Sequence, residues 1–206
     1  MALHWFQTIP AALGRARGPI AWIAATYLLG LTVGAGLVHA GNAGALRYRD
    51  KLVGTAAASD QAMVAMNHGL LLRAAILDFT GNLGLGAIPS TVMGLAVLLP
   101  FPMAAYRGWV GGVVSVDGEH HSRLRPGRER LYYLGVLFLQ LLPYSLAGGA
   151  GVRLGLAFLR PRSSFGYPES ATWLGLPADG VRDVLRIYTL IVPLFMVASL
   201  VEFLAR

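Results

Sequence analysis

The sequence predicts an all-α protein, a polytopic helical membrane bundle of about five transmembrane helices. Three observations predict it. The 206 residues are 55% hydrophobic and only 13% charged, whereas soluble domains average about 25% charged. Mean hydropathy is +0.58. Several apolar windows reach the roughly 20 residues that a helix needs to cross a bilayer. The basic residues lie mostly at the ends of these windows, so the net charge of +7 reads as topological and interfacial rather than as a nucleic-acid footprint. The chain has no cysteine, which excludes disulfides, thiolate metal sites and cysteine nucleophiles. Residues 1–206 form a single integral membrane domain, and the lipid bilayer is its first partner.

Residues 1–19 contain Trp5, Phe6, Arg15 and Arg17 and no acid, the composition of an interfacial segment on the cytoplasmic face. The apolar run that follows is too long for a usual signal peptide, so it is expected to be retained. The first span runs from Ile20 to about Ala40. Gly30 and Gly34 stand four apart on it, on one helix face, at the spacing that lets helices approach closely. His39 at its outer end reads as an interfacial polar residue. Residues 41–70 are less apolar and form an extracytoplasmic connection, with a short amphipathic helix near Asp60–Leu72 that Ser59 and Asp60 begin.

The second span, 71–90, is short and carries Arg73, Asp78 and Asn82. Asp78 and Asn82 share a helix face, and a charge at membrane depth faces the protein interior or water. Pro89 and Ser90 mark a break. The third span, about Thr91 to Val116, should be kinked by Pro100 and Pro102, and it carries Arg107 past the kink. Asp78 is the first candidate partner for Arg107, and Glu202 the second. Residues 117–130 are a polar loop with four arginines. His120 and His121 there are adjacent, point apart on a helix and lack a second ligand cluster, so no metal is assigned. The fourth span, about Leu131 to Leu159, holds Gln140, Pro143, Ser145 and a face of small residues: Ala147, Gly148, Gly151 and Gly155. Gln140 or Ser145 is placed to satisfy the carbonyl that Pro143 frees. A second polar loop, 160–182, places Tyr167 and Trp173 near the interface, and the last span is about Val184 to Ala205. Should residues 71–90 only dip into the bilayer, the bundle has four spans plus a re-entrant segment, and loop 117–130 changes side.

The order of these motifs resembles the stage II sporulation protein M family of multi-pass bacterial membrane proteins. The resemblance rests on ILDFTGNLGLGAIPS, then YRGWVGGVV, then LQLLPYSLAGGAGVRLG, and covers most of the chain. Arg107 and Gly108 match the family's basic residue and glycine in the third span, and Asn82 its asparagine-bearing second span. Leu142, Pro143 and Gly148 to Gly151 match its Leu-Pro step and small residues. Tyr144 departs from the histidine or glutamine that many members carry after that proline. The resemblance implies a non-enzymatic scaffold in the bacterial cytoplasmic membrane, holding cell-envelope remodelling partners.

Other classes remain open on the residues alone. A small oligomeric transporter or channel would use the interrupted helices and the intramembrane Asp78 and Arg107. An enzyme finds no Ser/His/Asp order, HExxH or P-loop pattern, so no catalytic residue is assigned. A haem or pigment would need more than His39 or His68, so no cofactor is assigned. The sequence thus leads to an intramembrane polar network of Asp78, Asn82, Arg107, Gln140 and Glu202. It also leads to helix-packing positions Gly30, Gly34, Ala147, Gly148, Gly151 and Gly155, with other membrane subunits or further copies of the chain as partners.

Overall fold

A computed structural model of the chain describes residues 7–159 and 172–205. It is all-helical apart from a two-stranded hairpin. Helix α1 spans Ile9–His39, α2 Ala43–Ser59, α3 Gln61–Asn67 and α4 Leu71–Gly81. A π-helical turn, Asn82–Ala87, joins α4 to α5, Ile88–Met93, and a 3-10 turn follows at Gly94–Ala96. Helix α6 is Pro100–Val113, α7 is Arg128–Leu159 and α8 is Ala178–Leu204. Strands β1, Thr172–Trp173, and β2, Leu176–Pro177, pair antiparallel. Among the described residues, four segments are long and apolar enough to cross a membrane: Ile9–His39, Leu71–Ala96, Arg128–Leu159 and Ala178–Leu204.

The elements depart from the sequence reading in ways that proline and asparagine explain. The first helix begins at Ile9, so residues 9–19 are its opening turns and not a separate segment. Pro10 lies in the first turn, where its missing N–H costs no bond and its fixed φ suits a helix. Ala12 and Ala16 on these turns are buried. The 41–70 connection holds two helices instead of one. Asn42 opens the first by accepting from Ala45 N–H at 3.0 Å, and Asp60 opens the second by accepting from Ala62 and Met63 N–H at 2.9 and 3.0 Å. Each bond satisfies amides that a helix start leaves without partners.

The second span does not stop at Pro89. It continues to Ala96 because the turn before the proline is wound as a π helix, a common way of accommodating such a residue. The break falls later, at Val97, whose φ is +61°. Pro100 and Pro102 then lie in the first turn of α6 and start it, where a kink in a longer helix was expected. At 14 residues α6 is about 21 Å long.

Helices α1 and α6 run parallel: Tyr27 and Leu31 meet Gly108 and Gly112 in the same order. Helix α7 is antiparallel to both α1 and α8, with Ile20 against Gly149 and Phe195 against Tyr144. His39, α2 and the 116–122 turn share one end of the bundle, through bonds of His39 to Ser122 and His120 to Asp50. Arg15 and Asp183 meet at the other end. The core gathers Ala87, Tyr144, Ala147, Ile187, Ile191 and Phe195 at mid-height.

Candidate functional site

Glycine sets how closely the helices approach. A methyl group on Gly30 would overlap the carbonyl oxygen of Ala105, and one on Gly34 would lie 2.6 Å from that of Trp109. From the facing helix, Gly108 and Gly112 stand equally close to the carbonyls of Tyr27 and Leu31. Both contacts are backbone against backbone, the geometry in which Cα–H donors reach carbonyl oxygens. Gly108 and Gly112 repeat the four-residue spacing of Gly30 and Gly34, and that repetition was a usable signal in the sequence. On α7, Gly151 lies on the Thr91 backbone and Gly155 on the Gly94 and Leu95 backbone. Gly148 approaches the Ser90 hydroxyl and Ile23, and Gly149 approaches Ile20. Ala147 is fully buried and its carbonyl accepts from Thr91 Oγ1 at 3.0 Å. The small-residue face of α7 therefore packs on α1, α5 and the 3-10 turn of its own chain.

The polar residues of the spans form two groups, one around Asp78 and Tyr144 at mid-height and one around Glu202 near the end of α8. Asn82 Nδ2 donates to Asp78 Oδ2 at 2.9 Å, as the four-residue spacing on a helix permits. The same oxygen accepts from Ser199 Oγ of α8 at 2.7 Å. Tyr144 OH, from the middle of α7, donates to Asn82 Oδ1, so each end of the Asn82 amide has a partner of the right kind. Tyr144 also meets the edge of Phe195 at 4.8 Å. Arg107 sets its guanidinium 3.9 Å from the Tyr144 ring centroid, a cation–π contact. It makes no direct ion pair with Asp78 or Glu202, so the pairing expected from sequence is not formed: Tyr144 and Asn82 stand between Arg107 and Asp78. Gln140 Nε2 donates to Glu202 Oε2 at 2.7 Å, and Tyr132 OH to the Glu202 carbonyl at 2.5 Å.

Gln140 is thus committed to Glu202, and the Ser145 hydroxyl is buried with no partner among the described residues. Neither plays the role at Pro143 that the sequence suggested for it. A cavity of about 490 Å³ lies between α6 and α7, lined among others by Tyr27, Arg107, Arg123, Gln140, Tyr144 and Glu202. A second, of about 590 Å³, is lined by Asp60, Asp78 and Asn82 on the far side of α4.

Two groups of polar residues escaped the sequence reading. Arg15 grips Asp183 with both Nε and Nη2 at 2.7 Å, and Arg186 adds a bond of 2.9 Å to the same carboxylate. Asp183 is 3% exposed. The arginine at i+3 is its sequence signal, and the hydropathy boundary leaves it just outside the last span. Tyr188 and Thr91 likewise join hydroxyls at 2.8 Å between α8 and α5. Two of the described histidines are fastened by side-chain bonds: His39 contacts the Ala35 carbonyl at 2.8 Å and Ser122 at 2.7 Å. His120 meets Asp50 at 3.0 Å, and His68 lines a small cavity with Arg73. The Arg49 guanidinium, and after it His120, holds the Asp50 carboxyl below the usual carboxylate range. The His121 and Glu119 amides do the same for Asp117. Among the described residues, no group of three or more His, Asp or Glu is placed to hold a metal ion. Trp173 is exposed on β1, and Tyr167 lies outside the described residues.

Set against family models, curated proteins and solved structures, the chain matches none.

Proposed function

We propose that the chain is a non-enzymatic subunit or scaffold of a larger assembly in the bacterial cytoplasmic membrane, and that it threads the bilayer five times. The observation that carries this reading is the set of side-chain bonds by which the Asp78 cluster ties three helices together. Asp78, Asn82, Ser199 and Tyr144 bind one another across three helices. Groups arranged in this way fasten helices together, and interhelical hydrogen bonds of this kind hold bundles in lipid. The resemblance to the stage II sporulation protein M family supports the same class. For the fifth pass, support comes from α6, which returns the chain to the end where His39 and α2 lie. Helix α6 falls short of the roughly 30 Å hydrocarbon core, and the polar cavity lies beside it.

Transport is the second reading, favoured by that cavity and by Arg107 on its wall. Purification at native abundance in mild detergent, with mass measured by light scattering, separates the two. A fixed ratio of a second membrane protein to this chain is the expected result. A homogeneous homo-oligomer that moves ions across liposomes would overturn the subunit reading and leave transport.

A further inference from the structure

The α6–α7 cavity has an unusual chemical balance. Arg107 lies level with Tyr144, at the midpoint of the 32-residue α7. Its guanidinium carbon lies over the Tyr144 ring at 3.9 Å from the centroid, a contact that supplies no oxygen acceptor for its five N–H donors. No hydrogen bond or ion pair among the described residues uses those donors. A guanidinium at bilayer depth is costly unless an acceptor or water meets it. The Tyr27 hydroxyl also lines the cavity and has no hydrogen-bond partner among the described residues. Arg123 also reaches the wall, but its Nε lies 3.8 Å from the Glu129 carboxylate, and Glu202, bonded by Gln140, is the one carboxylate of the lining among the described residues. The remaining wall is apolar, with Leu52, Met103, Val110 and Leu137. Tyr106 at the rim is 55% exposed.

From this we infer that the cavity is a binding site for an oxyanion group, borne by an amphiphile or free, its oxygens on Arg107 and the Tyr27 hydroxyl. The planar fork of arginine suits a phosphodiester or carboxylate, whose paired oxygens take two N–H bonds at once. The single guanidinium of Arg107, which has no acceptor among the described residues, matches one negative charge, and the apolar wall takes the tail of an amphiphile. The source is either a membrane phospholipid or a free oxyanion. This goes beyond the subunit reading: loss of the site would leave partner stoichiometry unchanged, and loss of the partner would leave the site.

The test is native mass spectrometry of the full chain in an uncharged detergent, titrated with short-chain phosphatidylglycerol and with diacylglycerol of the same chains, which lacks the phosphodiester. Phosphatidylglycerol should bind once per chain and about tenfold more tightly, the effect of a charge-assisted hydrogen bond. Arg107→Gln should abolish that preference, while Arg47→Gln, an exposed arginine on α2, should keep it. If Arg107→Gln does not fold, Tyr27→Phe removes only a hydroxyl and should weaken phosphatidylglycerol by roughly two- to tenfold. Inorganic phosphate that displaces the lipid assigns the site to a free oxyanion; phosphate that does not assigns it to the lipid, and both results support the site. Equal binding of the two lipids by the wild type would overturn the inference. So would equal losses in Arg47→Gln and the cavity variant.

Discussion

Replacing Gly151 with alanine tests whether backbone contact holds the bundle together. The added methyl would lie against the Thr91 carbonyl oxygen, carbonyl carbon and Cα. All three are backbone atoms, so no rotamer change can make room, and α5 must move away from α7. Gly135 lies on the same helix with nothing near its Cα hydrogen that a methyl would meet. Alanine gains about 1 kcal/mol of helix propensity over glycine at either position. That gain is common to both variants and cancels when they are compared. The difference between them is the overpacking cost, about 1–3 kcal/mol. At about 2–4 °C per kcal/mol for a chain of this size, Gly151→Ala should melt at least about 2 °C below Gly135→Ala in mild detergent, followed by circular dichroism. Gly135→Ala itself should melt at or above the wild type. Equal melting of the two variants would refute the claim that Gly151 is a contact point.

Three further outcomes follow from the polar contacts. Asp78→Ala leaves the Ser199 hydroxyl and the Asn82 amide without their acceptor, at about 1–3 kcal/mol for each buried group left unpaired. In a double-mutant cycle with Ser199→Ala the coupling should be about 0.6–1.7 kcal/mol, and a value near zero would contradict the bond. Asp183→Asn weakens a buried carboxylate held by Arg15 and Arg186 and should cost about 3 kcal/mol. Asp179→Asn breaks only an exposed pair with Arg182 and should cost under about 1 kcal/mol, by the same melting assay. Asp50 has a folded pKa below its ordinary value because Arg49 and His120 bond its carboxylate. Its contribution is therefore present above the unfolded value near 3.9 and is lost as pH falls through the folded value. The melting difference between wild type and Asp50→Asn should persist at pH 5 and fall away below about pH 4.

Composition alone made the helical class legible, and four-residue spacing made Gly30, Gly34 and the Asp78–Asn82 pair legible. These are local signals. The partners of those residues are set by helices far apart in the chain, and a single sequence carries no record of them. Ser199 bonding Asp78 spans |i−j|=121 and Arg15 bonding Asp183 spans |i−j|=168. Tyr144 stands in the sequence as a departure from a family pattern, and in the structure it links Asn82, Arg107 and Phe195. The prolines misled for a physical reason. Pro100 and Pro102 do break the chain, but a first-turn proline loses no hydrogen bond, so the break became a helix start. Pro89 reads as a stop because nothing in the sequence marks the π turn before it.

The proposed five-pass path is what puts Arg107 at mid-depth, and the chain's lack of cysteine allows a direct test. Single cysteines at Lys51, Gly118 and Trp173 would be labelled with a membrane-impermeant maleimide in intact and in opened cells. Five passes predict that Lys51→Cys and Gly118→Cys label from one side and Trp173→Cys from the other. Lys51→Cys and Gly118→Cys labelling from opposite sides would contradict the path.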